Sequence, residues 1–497
     1  GWVGHTVKGE TQKLWTRATY FSYTDMNQLP TRINFFEPLA SWGGSNMNEY
    51  SLSSNWDKGL FFTGQVGYKD YVYLEGSYRQ DWYRAFKQFE YRGTPDNYGY
   101  FSVGANTLMH RYISLPEFIT HLKLRASYSE VGNSIPNEVF NKGKADLATG
   151  AIASSTYGYF DNPIPETSKS FEAGFDVSFF DSSLNWDLTY YHTGLYNNYF
   201  LQATTGGKSK PVNTGLIRNQ GIETTVSYSL GFAKDWMWRT SVNFSYNDNK
   251  IVKTFKDEQG KSSKLEQKIA GGNIVVRYDE GGSYGDMYAL DFRRNDDGSI
   301  YLSSNGAPQL SNNSYVYLGN MNSKFQLGWG NTISWEDLSL YFLVSGRIGG
   351  KVISLTEAYL DYQGVSKRVG DARLAAEANP DLQWNGKPAM VMPDGNLAPI
   401  EEYYKAVGGN MFGSQYVYDA TNFRLAELSL GYSFHNLFGG VISNLSLSVV
   451  GRNLFFIYKD APVDPDIALS TKNGLGAFDI FNMPATRSVG VNLKIDF

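Results

Sequence analysis

The chain contains no cysteine among its 497 residues. This absence excludes a disulfide framework, a cysteine nucleophile and a thiolate metal site. The sequence also has no apolar run near the roughly 18 residues that a membrane-spanning helix requires, so an α-helical membrane protein is excluded. The formal net charge is −5, and no basic excess predicts a surface for nucleic acid.

Motifs for catalysis are also missing. The five histidines are scattered, and no two have the spacing that brings metal ligands together on one strand or helix. The sequence contains no nucleophile elbow and no phosphate-binding loop. We therefore expect a protein that is not an enzyme and carries no cofactor.

A structural Ca²⁺ site is the one alternative that the acidic residues leave open. Asn295, Asp297 and Ser299 offer alternating oxygen ligands, but the distal glutamate of a calcium loop is missing. A β-turn at Asp297-Gly298 is the simpler interpretation. Three aspartates between residues 460 and 466 could bind a cation or a partner, or form a proline-stiffened solvated loop.

What the sequence does contain is a strict apolar–polar alternation in segments of about ten residues. Such a period of two predicts strands with one apolar and one polar face, and the length is that of a transmembrane β-strand. The clearest segment is the C-terminal one, which we expect to insert in the membrane as the last strand. Its apolar residues are Val489, Val491, Leu493, Ile495 and Phe497.

The alternation also separates a lipid side from a water side. In residues 236–246 the even positions are mainly apolar and carry aromatic side chains at both ends, as two interfacial girdles require. We expect this face to contact outer-membrane lipid. The alternating polar positions are expected to face an aqueous lumen and include Glu223, Arg239, Asn243 and Arg424.

The links between predicted strands alternate between short and long. This alternation is typical of outer-membrane barrels, with short periplasmic turns and long extracellular loops. We count about 15 strands and predict an all-β, antiparallel transmembrane β-barrel. Its longest loops, near 254–323 and 350–420, are expected to carry function, and residues 369–378 are predicted to form a helix stopped by Asn379-Pro380.

Aromatic residues in the long loops are candidates for substrate contact, because exposed rings stack on sugar faces or clamp a peptide. Packing of one loop on another would explain them equally well. The candidate substrate-binding residues are Trp82, Tyr83, Tyr98, Trp384, Tyr403 and Tyr404.

Several short stretches occur in the order found in one known family. They include E-T-S-K-S-F-E-A-G-F-D at 166–176, N-Q-G-I-E at 219–223, G-D-M-Y at 285–288, S-G-R-I-G-G-K at 345–351 and G-R-N-L-F at 451–455. Together they resemble the SusC/RagA family of TonB-dependent outer-membrane transporters, mainly over residues 120–497.

The resemblance implies a 22-stranded barrel, of which residues 1–497 would form the C-terminal part. The N-terminal plug is not in this chain, and a companion region would have to supply the plug and the remaining strands. It also implies import of oligosaccharides or oligopeptides across the outer membrane of a Gram-negative cell. The expected partners are a SusD-like surface lipoprotein and TonB, which would act through the absent N-terminal region.

Two other kinds of protein remain open at this point. A passive porin-type channel, or a barrel that bears a surface enzyme, would need neither plug nor TonB. A soluble carbohydrate-binding β-sandwich would bury the apolar strand faces against each other and would need no detergent for extraction.

Overall fold

The computed structural model describes residues 2–19, 46–83, 86, 95–134, 163–203, 209–213, 215–254, 256, 266–466, 476–483 and 485–497. Within these residues, fourteen strands form one antiparallel sheet in which every strand pairs with its neighbours in sequence. We call this sheet the wall. Its strands are β1 (Trp2–Thr19), β2 (Asn46–Tyr68), β3 (Val72–Tyr83), β4 (Asn97–Leu108), β5 (Ile119–Asn133), β6 (Glu166–Phe179), β7 (Leu184–Tyr196), β8 (Leu216–Ala233), β9 (Trp236–Lys253), β10 (Phe325–Trp335), β11 (Leu338–Ile348), β12 (Asn422–Leu437), β13 (Ile442–Lys459) and β14 (Ser488–Asp496).

The sequence predicts about fifteen strands, and the described wall has fourteen. The difference arises because two predicted strands, near 49–55 and 60–69, are the halves of β2. The polar pair Asp57-Lys58 and Gly59 interrupt the apolar alternation but stay in the ladder, with Asp57 opposite Tyr83. Backbone pairing thus continues where the side-chain pattern fails.

The wall strands are joined by links that alternate in length, as predicted. The hairpin between β2 and β3 turns at Lys69 and Asp70, which both have left-handed φ angles of 49° and 58°. Such angles at two successive residues are typical of tight β-hairpins. The short links are 69–71, 109–118, 180–183, 234–235, 336–337 and 438–441, and the long ones are 20–45, 84–96, 134–165, 197–215, 254–324, 349–421 and 460–487.

The register gives the wall two chemically different faces. Trp238 of β9 begins an apolar row that crosses five further strands through Ile333, Leu340, Leu430, Val449 and Val491. Leu430, Val449 and Val491 are exposed where the chain is considered alone, with Leu430 at 53% and Val491 at 65%, and the other three side chains of the row are half-buried. Nearer the short links, the indoles of Trp236 and Trp335 stack with ring centroids 5.6 Å apart. An exposed apolar band of this extent indicates a surface that contacts a membrane or another protein.

The C-terminal alternation forms a strand, as predicted. Val491 and Leu493 of β14 lie opposite Val449 and Leu447 of β13, on the same face as Val489 and Ile495. Phe497 is 88% exposed. The role of this strand in membrane insertion stays a prediction.

The two longest links and a short part of the link 460–487 fold into a separate body on the wall, which we call the loop module (residues 266–323, 350–420 and 476–479). It contains helices α1 (Leu355–Tyr362), α2 (Lys367–Ala378) and α3 (Ile400–Gly409). No helix in the described residues is both long and apolar enough to cross a bilayer. The strands of the module are Glu266–Ile269, Ile274–Arg277, Asp286–Phe292, Leu310–Asn320, Lys351–Ser354, Gln383–Trp384, Lys387–Val391, Leu397–Pro399, Val417–Asp419 and Phe478–Asp479, and a hairpin of Tyr199–Ala203 with Ser209–Asn213 lies in the link 197–215.

The predicted helix at 369–378 is confirmed as α2. It starts two residues earlier because Ser366 caps it, accepting a hydrogen bond from the backbone N–H of Val369 at 3.1 Å. Side-chain acceptors at this position replace the missing intrahelical partner of a first-turn N–H. The helix ends at Ala378, before Asn379-Pro380.

The loop module has the main hydrophobic core among the described residues. Segments from both long links contribute to it, including Ile274 and Met287 from the first and Val407 and Phe412 from the second. The ring of Phe412 is fully buried and lies 5.0 Å from that of Phe292. The two links therefore stabilise each other instead of forming independent loops.

We expect Phe412→Ala to lower the unfolding free energy of the loop module by about 3–5 kcal/mol, because it leaves a cavity in the core. Hydrogen exchange of the α3 amides in the full-length protein would measure this change. Phe481→Ala is the matched control, since Phe481 is 59% exposed. Equal exchange in both variants would contradict a shared core.

Candidate functional site

The polar face of the wall carries a concave patch opposite the apolar face. Asn243 of β9 lies opposite Gly328, which pairs with Ser345, and Ser345 pairs with Arg424 of β12. The neighbouring row on the same face runs from Glu223 of β8 to Asn422 of β12. Its members are Glu223, Ser245, Gln326, Arg347 and Asn422.

These rows line a cavity of about 610 Å³, which we call the wall cavity. Three of the four residues predicted to face the lumen line it, namely Glu223, Asn243 and Arg424. Arg239, the fourth, shares the face with Asn243 but lies four residues nearer the short links, opposite Thr332. Contact of these residues with a lumen or a plug stays a prediction.

An ion-pair cluster joins three wall strands on the polar face, beside the cavity. Arg125 of β5 contacts Asp176 of β6 at 2.8 Å and Asp187 of β7 at 2.7 Å. Gly174 makes room for the guanidinium, because a Cβ there would lie 3.2 Å from the Arg125 side chain and 2.3 Å from the Leu188 carbonyl oxygen. Arg125 thereby neutralises one of the carboxylates that line the wall cavity.

A second and larger space, the rim cleft, lies where the wall meets the loop module. Its volume is about 1030 Å³. The wall contributes Arg218, Asn219 and Asn247, and the module contributes tyrosines and asparagines. The residues from the module side include Tyr278, Tyr284, Tyr317, Asn320 and Asn322. These residues were not identified from the sequence. The only local signal was the glycines in 281–285, which indicate a turn at this point of the chain.

The module is tied to the wall at one corner of the cleft. Asn249 of β9 accepts hydrogen bonds from the backbone N–H of Tyr284 at 2.7 Å and the hydroxyl of Ser283 at 3.2 Å. Asp286 holds the same turn, accepting from the backbone N–H of Ser283 at 2.8 Å and from Asn320 at 2.8 Å. Asp286 of the G-D-M-Y stretch thus stabilises the turn that anchors the loop module to the wall.

A glycine in β8 makes a close side-chain approach possible. Tyr191 of β7 reaches across Gly221 and donates its hydroxyl to Asn247 of β9 at 2.9 Å. A Cβ at Gly221 would lie 2.0 Å from the carbonyl oxygen of Tyr246 and 2.6 Å from the Tyr191 hydroxyl. The central glycine of N-Q-G-I-E therefore allows a tyrosine to span three strands.

Two of the predicted substrate contacts are wrong, because Tyr403 and Tyr404 belong to the core of the loop module. They lie on α3 and are 4% and 8% exposed. Their rings meet edge to face, with centroids 5.3 Å apart. The positions Ile400, Tyr403, Tyr404 and Val407 have the spacing of an apolar helical face, which was the available signal for burial.

Tyr83 is also buried, at 5% exposure. Its ring packs 5.7 Å from Phe86, which in turn lies 5.2 Å from Tyr98. Tyr83 and Tyr98 therefore support the loop-side end of β3 and β4, and the buried ring of Tyr83 is not a free stacking surface. Trp82, Tyr98 and Trp384 are half-buried and remain candidates, though Trp384 lies on the loop module and the other two lie on the wall.

A buried ionic contact joins the helices of the loop module. Asp361 of α1 is fully buried, pairs with Arg368 of α2 and accepts a hydrogen bond from the hydroxyl of Tyr416 at 2.9 Å. Burial, and then the Asp361 carboxylate, raise the pKa of Tyr416. The module therefore requires a neutral phenol at this position.

The acidic segments considered for calcium are engaged in other contacts. Asp297 accepts hydrogen bonds from Ser299, from its backbone N–H at 2.9 Å and its hydroxyl at 2.6 Å, in a turn closed by Gly298 with φ 87°. Asp464 and Asp466 face the guanidinium of Arg424. In the described part of the chain, no three carboxylate or imidazole groups are arranged to hold a metal ion.

Comparison with known proteins matches the chain to one family of β-barrel receptors. The family model described as "TonB dependent receptor-like, beta-barrel" matches residues 2–454. TonB-dependent receptor P39 of Formosa agariphila is 24% identical over 560 residues, which cover 99% of this chain and 51% of that protein. TonB-dependent receptor SusC of Bacteroides thetaiotaomicron is 21% identical over 387 residues, 72% of this chain and 36% of that protein. The chain spans about half the length, or less, of these curated relatives.

Solved structures show the same fold. The RagAB peptide importer in its "open-open" state has a TM-score of 0.69 at 18% identity, and the match covers 93% of this chain and 49% of that one. Its "closed-closed" state has a TM-score of 0.67 at 19% identity and covers 91% and 49% of the two chains. These identities establish the architecture alone. The resemblance noted in the sequence is confirmed.

We expect Gly221→Ala to lower the yield of assembled full-length protein, because overpacking between β7, β8 and β9 costs about 1–3 kcal/mol. The fraction that migrates as a heat-modifiable band on a gel measures assembly. Gly64→Ala is the matched control, since a Cβ at Gly64 has nothing within 4 Å. A normal yield for Gly221→Ala would show that the wall tolerates this contact.

We also expect the loop module to lose stability above about pH 10, the ordinary pKa of tyrosine. Because the folded pKa of Tyr416 is raised, the unfolded state releases its proton first, and stability is retained below pH 10 and lost as the pH rises. Limited proteolysis of the module across this range would measure the loss. Tyr416→Phe should reduce the pH dependence, and an unchanged profile would argue against a titrating Tyr416.

Proposed function

The chain belongs to the TonB-dependent receptor-like β-barrel family, and we propose that it is the barrel portion of an importer of oligomeric nutrients. The proposed substrates are oligosaccharides or oligopeptides, and the membrane crossed is the outer membrane of a Gram-negative cell. The family is one of receptors and transporters, so the expected work is gated passage and not a chemical reaction.

One observation carries the proposal: a wall with an apolar outer face and a polar inner face is covered on its long-link side by a folded module. The apolar rows suit contact with lipid tails, because a strand crossing a bilayer satisfies its backbone through its neighbours. The polar rows offer hydrogen-bonding groups along the inside. The rim cleft lies at the start of that polar face.

In the proposed cycle, substrate enters the rim cleft from outside. The tyrosines and asparagines there supply rings and amide groups, which suit both sugar hydroxyls and peptide bonds. Burial raises the pKa of Tyr284, so its phenol remains a neutral donor. Trp82, Tyr98 and Trp384 remain candidate stacking residues for substrate outside the rim cleft, because none of them lines it.

The proposed partners act at the two ends of the wall. A SusD-like surface lipoprotein would close the outer side over the loop module. A plug domain of the whole transporter would contact the polar rows, with Glu223, Arg239, Asn243 and Arg424 as candidate contacts. TonB would draw on the plug from the periplasm and so release substrate past the wall cavity.

Uptake by cells that express the full-length protein tests this proposal. We expect labelled oligosaccharides or oligopeptides to enter only when the protein is present, and a protonophore to abolish their entry, because TonB draws on the proton gradient. A strain without TonB is the matched control. Uptake that survives both treatments would identify a passive channel instead.

The alternative of a soluble β-sandwich is tested separately by extraction. The apolar band on the wall predicts that the protein requires detergent and shows heat-modifiable migration. Recovery in the aqueous fraction as a monodisperse protein would overturn membrane insertion and the transport proposal together.

A further inference from the structure

Two arginines on adjacent wall strands converge on one aspartate from a long link. Arg347 of β11 contacts the Asp466 carboxylate at 3.1 Å, and Arg424 of β12 forms an ion pair with the same group. Asn422 donates to it as well, at 3.4 Å. The contact brings residues 460–466, which we call the strap, against the inner face of the wall.

Local hydrogen bonds shape the strap so that Asp466 points at the arginines. Lys459 donates to the carbonyl oxygens of Pro462 and Val463, both at 3.2 Å. The carboxylate of Asp464 accepts from the backbone N–H of Asp466 at 3.0 Å and lies 4.0 Å from Arg424. Asp466 therefore reaches the arginine pair as the end of a preformed turn.

The arginine pair has donors to spare. Each guanidinium carries five N–H donors and is always charged, while the carboxylate of Asp466 has only two oxygens. Arg424 is largely buried, with 14% of its side chain exposed, and Arg347 is 49% exposed. Both arginines line the wall cavity, and planar guanidinium groups are the preferred protein partners of carboxylates.

The ion pair between Arg424 and the strap also separates two cavities. Arg424 and Asp466 line the wall cavity, while Arg424 and Asp464 line a neighbouring cavity of about 540 Å³ next to β13. Because Arg424 belongs to both, movement of the strap away from it would join the two spaces. The strap thus occupies a position for which a ligand group in the wall cavity would compete.

We propose that Arg347 and Arg424 bind a single terminal carboxylate of the ligand, and that Asp466 occupies this site as an internal competitor while it is empty. The ligand carboxylate would replace Asp466 on the arginines, and the strap would swing away from the wall. That the ligand is transported rests on the proposed function, but the binding step does not.

The charges around the cavity limit the ligand to few carboxylates. Glu223 lines the same cavity and has no ion pair or hydrogen bond within the described part of the chain. A polyanion would meet repulsion from Glu223, whereas an oligomer with one acidic end can place its remaining length along the neutral polar rows. An oligopeptide C-terminus provides such a group, and so does one uronic acid at the end of an oligosaccharide.

Calorimetric binding to the full-length protein in detergent tests the proposal. The probes are a short alanine peptide with a free C-terminal carboxylate, its C-terminal amide, and a neutral oligosaccharide with and without one terminal uronic acid. We expect at least one acid form to bind about tenfold or more tightly than its neutral counterpart, because charge-assisted hydrogen bonds are lost with the carboxylate. Which pair discriminates identifies the source of the carboxylate.

Three variants separate the site from general effects. Asp466→Asn should strengthen binding of the acid form about tenfold, since it weakens the competitor. The double variant Arg347→Gln and Arg424→Gln should remove the preference for acid. Arg452→Gln is the matched control: Arg452 of β13 pairs with Glu427 of β12 at 3.1 Å, and its loss should leave the preference unchanged. Heat-modifiable migration verifies that each variant is assembled.

Equal binding of acid and neutral forms by both the unmodified protein and Asp466→Asn would overturn the proposal. So would an acid preference that persists in the double arginine variant. These outcomes are independent of transport, because binding in detergent requires neither TonB nor a proton gradient. A protein that fails the uptake test but discriminates acid from amide would retain the carboxylate site and lose only the import proposal.

Discussion

The antiparallel ladder is the constraint on which the rest of this structure depends. Because side chains alternate across a strand and neighbours pair in register, one offset fixes the face of every side chain in the wall. A slip of β10 by one residue against β9 would move Ile333 onto the polar side while Trp238 stayed on the apolar side. The register of the pairing therefore determines both which face of the wall is apolar and which face is available to a polar ligand.

The loop module depends on this register less directly. It is held to the wall by Asn249, which accepts a hydrogen bond from the backbone of the turn before the strand Asp286–Phe292, and Asp286 stabilises that turn from within the module. Its own core is formed by two links that are far apart in sequence. The wall holds the ends of those links close together. Folding of the barrel therefore already supplies part of the entropy cost of closing the links, and the module itself needs less. A stable module at the rim then gives the rim cleft a defined shape.

The wall was predictable from sequence because its signal is local. The alternation in 236–246 and 488–497 is visible in one strand at a time, and the hairpin turns between strands are short. The continuity of β2 was missed because Asp57, Lys58 and Gly59 break the side-chain pattern, whereas the backbone pairing that continues through them leaves no mark in the sequence.

The site was less predictable because its contacts are long-range. Arg424 was expected on the polar face, but nothing in the sequence pairs it with Asp466 or brings Arg347 beside it. The burial of Tyr403 and Tyr404 could have been inferred from the helical spacing on α3, had the segment 350–420 been treated as a folded unit. The tyrosines of the rim cleft had no signal beyond the glycines near them.

The length of the wall strands has a consequence for where the protein meets its surroundings. On β9 the aromatic residues that suit a bilayer interface are Trp236 near the short link and Tyr246, whose ring lies 5.1 Å from Phe325. The strand continues from there to Lys253, about 24 Å further at roughly 3.4 Å a residue. The cleft and its anchoring asparagines would thus stand on a raised collar, clear of the headgroups, where a bulky polymer can approach without first being pressed against the cell surface.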